Sequence, residues 1–101
     1  MNTITLRLQT VSGPVEIPAV EVVPGLALHK EQNHNYPHER VDWCVTHAAS
    51  GLALNKFAKK IQAVAYCQAI AGLFPWERDA LTLPWEIKQS LRDAANKARN
   101  L

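Results

Sequence analysis

The N-terminal part of the chain alternates apolar and polar side chains, which is the spacing of a strand with one buried face. Ile4, Leu6 and Leu8 mark the apolar face of the first strand. A turn containing glycine and proline follows, so residues 3–22 are predicted to form a β-hairpin. Because Pro18 lacks a backbone N–H, the second strand is expected either at a sheet edge or broken by a bulge.

The central part of the chain predicts one more short strand and a second hairpin. Residues 26–30 alternate again and follow a Pro-Gly turn. Residues 41–47 and 52–56 alternate on either side of a turn of small residues that ends at Gly51. Gly51 suits this turn because glycine adopts a positive φ without steric cost.

The second hairpin has an apolar face and a mixed face. Val41, Trp43 and Val45 point the same way and are expected to pack beneath a helix. With helices on one side of the sheet, the other face is predicted to be solvated or to form an interface. The residues assigned to that other face are Thr3, Thr5, Arg7, Asp42, Cys44 and Thr46.

Beyond the second hairpin the hydrophobic spacing becomes that of helices. An alanine-rich helix is predicted to end at Gly72. Its core side is assigned to Phe57, Ile61, Val64 and Ala71. A second helix is predicted from about Pro84 to Arg99, since proline is favoured in the first turn of a helix. Its apolar stripe comprises Ile87, Leu91, Ala94, Ala95 and Ala98.

Composition and length are those of one ordinary globular domain. The chain has 101 residues, of which 48% are hydrophobic and 20% are charged, and this balance argues against intrinsic disorder. Residues 1–101 are therefore predicted to form a single α+β domain. It is expected to contain a mostly antiparallel sheet of about four to five short strands, followed by two C-terminal helices packed on one face.

Targeting and membrane signals are not evident in the sequence. The chain begins like a strand and lacks the basic and apolar segments of a secretory signal. Its longest mainly apolar run, from Ile61 to Phe74, is shorter than the roughly 20 residues of a membrane span. We therefore expect no membrane association and a cytoplasmic location. Cys44 and Cys67 are expected to be reduced, buried thiols.

Four side chains have spacing that raises the question of a metal site. His34, His38, Cys44 and His47 would supply the ligand types of a tetrahedral zinc site. However, residues three apart in a strand point to opposite faces, which separates Cys44 from His47 and also prevents a local thiol and imidazole pair. Nucleotide-binding glycine motifs and nucleophile motifs are missing as well. We therefore expect a protein that is not an enzyme and needs no cofactor, with zinc binding as the minor alternative.

Basic residues near the start of the first helix suggest a second class of function. Lys56, Lys59 and Lys60 lie where the helix dipole favours anions, so together with Arg40 they form a candidate phosphate site. The second helix carries further basic residues, namely Lys88, Arg92, Lys97 and Arg99. Binding of nucleic acid is therefore the alternative hypothesis, although a net charge of +2 is small for such a protein.

The leading hypothesis is a small non-catalytic binding or accessory module of the regulatory or inhibitor type, as often encoded by mobile elements. Its partner is expected to be another protein or a second copy of the chain, bound through the exposed sheet or through the long polar loop before the second hairpin. Trp76 and Trp85 follow prolines, where an aromatic ring either covers the core edge or anchors a partner. The loop contributes the candidate binding residues His34, Tyr36, His38 and Arg40.

Overall fold

The computed structural model describes residues 2–31, 42–78 and 83–101, which form five strands followed by two helices. The strands are β1 (Asn2–Thr10), β2 (Gly13–Val23), β3 (Leu26–Lys30), β4 (Trp43–His47) and β5 (Leu52–Phe57). The helices are α1 (Lys60–Ile70) and α2 (Trp85–Arg99). The strands form one antiparallel sheet in the order β1-β2-β3-β4-β5. The predicted α+β class and order of elements are confirmed.

The first hairpin shows how a proline is accommodated inside a sheet. β1 and β2 pair over their whole length, and Pro18 lies opposite Thr5. The last pair between β2 and β3 joins Val20 to Leu28, so Pro18 lies beyond the segment that β3 covers. The register between β2 and β3 also shifts between Glu21 and Val23, as a bulge does. β2 is therefore internal in strand order but locally an edge at its proline, as expected.

The main hydrophobic core lies between the sheet and α1. Leu28 and Val45 from the sheet pack there with Tyr66 and Ile70 from α1. Trp43 is half-buried at the border of this core, which agrees with the face predicted for β4. Val41 lies outside the described residues.

The predicted core side of α1 is correct for Phe57 and Val64, which contact the main core, and wrong for Ile61 and Ala71. The buried positions of the helix are Gln62, Ala63, Tyr66, Cys67 and Ile70. Ile61 is 63% exposed, Ala71 is exposed, Val64 is half-buried, and Phe57 is buried as the last residue of β5. An alanine-rich helix has little contrast between its faces, so tertiary contacts such as the ring of Tyr66 on Phe57 decide its orientation.

α2 packs against α1 with the predicted stripe. Leu91, Ala95 and Ala98 are buried, while Ile87 and Ala94 are partly buried against the same core. The helix begins after Pro84, as its sequence indicated. Among the described residues, neither helix has the length and apolar character needed to cross a lipid bilayer.

A second, smaller core lies on the side of the sheet away from the helices. Leu6 and Leu8 of β1 pack there with Ala19 and Ala27. The sheet curls so that β1 approaches the turn between β4 and β5, where the Gln9 N–H donates to the Gly51 carbonyl at 3.1 Å. The curl therefore covers the face that a flat sheet would leave open.

This curl corrects the predicted second face of the sheet. Cys44 and Thr46 are buried within the curl and are neither solvated nor part of an interface. Thr5 and Arg7 alternate with Leu6 along β1, so their exposed side chains point away from the curl. The two groups of residues lie on opposite sides of the sheet. Helices on one side leave the second face uncovered only in a flat sheet, whereas twisted sheets of this size readily coil.

Candidate functional site

A cleft opens inside the curl, between the end of β1 and β5, with a volume of about 440 Å³. Leu8 and Ala53 contribute apolar surface, and His29 and Cys44 contribute polar atoms. His29 and Cys44 are directly paired across β3 and β4, so their side chains share one face. The sequence analysis missed His29, because only the strand register shows that it lies beside Cys44.

His29 is held by hydrogen bonds at both ring nitrogens. Its Nδ1 lies 2.9 Å from the carbonyl oxygen of Lys30, and its Nε2 lies 2.7 Å from Oγ1 of Thr46. Since a carbonyl can only accept, Nδ1 carries the proton and Nε2 accepts from the Thr46 hydroxyl. Burial lowers the pKa of His29, which outweighs the opposite effect of the Lys30 carbonyl. His29 is therefore a neutral, structural imidazole.

The Cys44 thiol is not activated for nucleophilic chemistry. Burial raises its pKa to about 11, and the nearby carboxylate of Glu31 adds to this effect. Because the thiolate is the reactive form, a thiol with this pKa is inert near neutral pH. Both cysteines are free and buried, as expected from the sequence.

His47 does not join this cleft. β4 places it on the face opposite Cys44, so the two side chains are separated as expected. Its Nδ1 accepts the N–H of Ser50 at 3.3 Å and lies 2.6 Å from the Ser50 hydroxyl, while Nε2 has no partner in the described part of the chain. Within the described ranges, His, Cys, Asp and Glu form no group of three that could hold a metal. His34 and His38 lie outside the described residues.

The lysines around the start of α1 make contacts within the chain. Lys56 forms an ion pair with Glu31 at 2.9 Å, and this hydrogen bond raises the pKa of Lys56. The Lys59 ammonium donates to the carbonyl oxygen of Leu101 at 3.4 Å. Lys60 lies 5.6 Å from the centre of the Trp43 ring.

The end of α2 explains why lysines are tolerated at the start of α1. The Gln62 amide donates to the carbonyl oxygens of Arg99 and Leu101, both at 3.3 Å. The Gln62 side chain also accepts the N–H of Lys59 at 3.1 Å, which caps α1. Lys59 therefore contacts the main-chain oxygen of Leu101, just beyond the end of α2, where the helix dipole is also negative.

Three residues of the predicted basic face of α2, namely Lys88, Arg92 and Arg99, lie within about 40° of one another around the helix axis, whereas Lys97 lies on the opposite side. Arg99 donates to Oδ1 of Asn55 at 2.6 Å and to the Lys56 carbonyl at 3.3 Å. Its guanidinium also lies 5.0 Å from the centre of the Phe57 ring. Arg99 therefore attaches α2 to β5.

The two candidate tryptophans differ in environment. Trp76 is 2% exposed, and its indole N–H donates to the Ile70 carbonyl at 2.8 Å, so it belongs to the core and is not available as an anchor. Trp85 is 76% exposed at the start of α2. The candidate loop residues His34, Tyr36, His38 and Arg40 lie outside the described part of the chain.

The two edges of the sheet are treated differently. β5 has a bulge at Leu54 and carries a lysine at position 56. The backbone carbonyl of Lys56 accepts a hydrogen bond from Arg99. Such features protect an edge from pairing with other strands. β1 has no proline or bulge over its nine residues. Among the residues that the structure describes, the β5 edge is therefore closed and the β1 edge is open.

The open edge can be assigned residue by residue. The Gln9 N–H points outward to Gly51, so alternation makes Thr3, Thr5 and Arg7 the other residues whose backbone groups point away from β2. In the described part of the chain, Thr3 and Thr5 make no hydrogen bond through these groups. We call the outward groups of Thr3, Thr5 and the Arg7 N–H the β1 edge.

A groove of about 320 Å³ lies beside the β1 edge. Ile4 and Thr5 form one wall, and the turn after β4 forms another through Ala48 and Ala49. We call this space the edge groove; its other lining residues are Glu21, Gly25, Trp76 and Glu77.

The named candidate binding residues do not include Thr3, Thr5 or Arg7, which the sequence assigns only to a sheet face that is solvated or forms an interface. An exposed sheet edge was anticipated, but no residue could be assigned to it before the strand order was known. Of the assigned residues that are described, Lys59, Lys60 and Trp85 lie at the starts of the helices, Lys56 lies in β5, and Trp76 is buried in the core. No protein-family model, curated protein or solved structure matches this chain.

Proposed function

We propose that this chain is a small, non-catalytic binding module that binds another protein by accepting one of its strands at the β1 edge. The observation that supports this proposal is the contrast between the closed β5 edge and the open β1 edge. Unpaired N–H and C=O groups in a row are a template for an added strand. Strand addition is a common mode of peptide recognition, in which main-chain hydrogen bonds supply the affinity.

The β1 edge is also held in a fixed position. β1 pairs with β2 from Asn2 to Thr10, and its end is attached to the turn at Gly51. The side chains of Leu6 and Leu8 pack in the second core, and this packing holds β1 in position. A template that is ordered before binding loses less conformational entropy when a partner strand pairs with it.

The chemistry of the cleft favours a non-catalytic role. His29 has both nitrogens in hydrogen bonds, and the Cys44 thiol has a raised pKa. A nucleophile and base would need a thiolate and a free imidazole nitrogen at hydrogen-bonding distance. The internal contacts of Lys56, Lys59 and Lys60 likewise make nucleic acid the less favoured partner.

The test is a selection from a displayed library of random peptides, followed by measurement of the selected peptides on two variants. Thr5→Pro removes one outward N–H and leaves the β2 ladder intact, because position 5 does not donate to β2. Thr5→Val changes the same side chain but keeps the N–H. We expect selected peptides to bind the wild type and Thr5→Val equally and to lose binding to Thr5→Pro.

The other outcomes decide against the proposal. Peptides that bind Thr5→Pro as well as the wild type would show that the β1 edge is not the site. Failure to select any peptide, combined with DNA or RNA binding that weakens steeply with salt, would instead support the nucleic-acid alternative. Replacing Lys59 and Lys60 by Glu would then remove that binding. A dimer in light scattering that is lost in Thr5→Pro would identify a second copy as the partner.

A further inference from the structure

We infer that the strand accepted by the β1 edge carries a lysine or arginine side chain, which enters the edge groove between β1 and the turn after β4. This inference rests on the proposed function and specifies its partner. It follows from the position of the groove, from the charges that line it and from its apolar walls.

The position of the groove matches the path of an added strand. A strand that pairs with Thr3 and Thr5 must lie on the outer side of β1, next to Thr5, and Thr5 is one of the residues that line the groove. Ala48 and Ala49 of the turn after β4 line the same groove, and their side chains are small. Because side chains alternate along a strand, every second residue of the partner has the direction needed to enter the groove.

The charges of the groove are of one sign. Glu21 and Glu77 line it, and no lysine, arginine or histidine of the described residues does. One carboxylate oxygen of Glu21 accepts the N–H of Gly25 at 3.3 Å. Glu77 makes no hydrogen bond or ion pair within the described part of the chain. A cationic side chain placed here gains attraction from both carboxylates, whereas an acidic side chain is repelled.

The walls of the groove suit a long basic side chain better than a short polar one. Ile4 and Trp76 line the same space as the carboxylates, together with the two alanines of the turn. Lysine and arginine have aliphatic stems that pack on apolar surface while the charged end stays near solvent. A purely apolar side chain would also fill the groove. However, it would displace water from the Glu77 carboxylate and would offer no hydrogen bond in place of those that the water made.

The inner cleft gives no comparable selectivity. Its rim carries Glu31 and Lys56 as an ion pair, with Arg99 nearby, so both signs of charge are present. Its histidine has no free nitrogen, as shown above. Of these two cavities, the edge groove is the one whose described lining has charge of one sign.

The test uses three synthetic peptides with acetyl and amide ends: Thr-Val-Lys-Val-Thr, the same peptide with norleucine at the centre, and the same peptide with glutamate there. Binding is followed by amide chemical shifts of the isotope-labelled protein. We expect the lysine peptide to shift the Thr3, Thr5 and Glu77 amides and to bind about threefold more tightly than the norleucine peptide, since exposed ion pairs are weak. The glutamate peptide should bind most weakly.

Variants of the protein separate the inference from the proposed function. Glu77→Gln should reduce lysine-peptide affinity towards that of the norleucine peptide, since Glu21 remains, and added salt should weaken the preference further. Glu86→Gln, an exposed carboxylate in the first turn of α2, is the matched control and should change nothing. Thr5→Pro should weaken all three peptides.

The failures are distinguishable. One outcome is equal affinity for the lysine and norleucine peptides, with no effect of Glu77→Gln and loss of binding in Thr5→Pro. This outcome would overturn the inference that the partner carries a basic side chain, and strand addition at the β1 edge would still be supported. Shifts at Glu77 without shifts at Thr3 and Thr5 would show attraction to the carboxylates without strand pairing, which overturns both. Saturating peptide without shifts at any of these amides also overturns both.

Discussion

Replacement of Gly51 by alanine tests the contact that closes the curl of the sheet. Gly51 has a φ of +73°, and a Cβ built on it would collide with the carbonyl oxygen of Arg7. Its own carbonyl accepts the Gln9 N–H at 3.1 Å. A side chain at this position must therefore push the end of β1 away from the turn between β4 and β5.

The expected cost has three parts. An alanine at positive φ costs roughly 1–2 kcal/mol, overpacking against a neighbouring backbone costs about 1–3 kcal/mol, and loss of the Gln9 hydrogen bond costs about 1 kcal/mol. Gly51→Ala should thus destabilise the fold by about 3–6 kcal/mol, a large share of the stability of a typical small domain. Gly13 is the matched control because its φ is +104° and nothing lies within 4 Å of a Cβ placed there. Gly13→Ala should therefore cost about 1–2 kcal/mol, from backbone strain alone.

The assay is equilibrium unfolding in urea, with the transition followed by tryptophan fluorescence. Gly51→Ala should have a much lower midpoint than Gly13→Ala, or should fail to fold where Gly13→Ala folds. If Gly51→Ala is as stable as Gly13→Ala, then β1 does not lie against the turn, and both the inner cleft and the edge groove would be wrongly placed.

Three further predictions concern the buried polar groups. Gln62→Leu removes the bonds that hold the end of α2 and should destabilise the fold by about 1–3 kcal/mol in the same assay, whereas Gln89→Leu on the exposed face of α2 should have little effect. Burial raises the pKa of Cys44 to about 11 and of Cys67 to about 12. Above pH 9 the thiols of the unfolded chain lose protons that the thiols of the folded protein keep, so the urea midpoint should fall as pH rises. Replacing both cysteines by serine should make this fall smaller. Burial lowers the pKa of His29, so as pH drops below 6.5 this histidine binds a proton in the unfolded chain before it does so in the folded protein. The stability of the fold should therefore decrease in this pH range, and the decrease should be smaller in His29→Gln. A urea midpoint that is constant across either pH range would contradict the corresponding burial.

The lysines at the start of α1 show how one sequence feature can have two explanations. Lysines near a helix N-terminus oppose the dipole, which made an external phosphate a reasonable hypothesis. In the structure, the end of α2 supplies the opposing charge through the Leu101 carbonyl, and Gln62 binds the same end. A pattern of charge along a sequence therefore does not reveal whether its counterpart lies inside or outside the molecule.

The sequence by itself determined the elements that depend on local physics. Period-two alternation predicted β3 at residues 26–30, where the strand is found. Gly51 was predicted to adopt a positive φ in the second turn, and it does. The period and starting proline of α2 predicted that helix to within a residue. Alternation, turn geometry and helix starts involve neighbours in the chain, so they can be read without knowing the rest of the fold.

Tertiary structure alone decided which faces are buried and which edge is open. α1 buries Tyr66 and exposes Ile61, because packing on the sheet and on α2 outweighs the weak pattern of an alanine-rich helix. Cys44 lies beside His29 because β3 and β4 pair in one register, and the curl of the sheet covers the face that they share. The β1 edge is open because β1 comes first in the strand order while Arg99 occupies β5. These outcomes depend on contacts between residues far apart in sequence, and hydrophobic periodicity carries no information about such contacts.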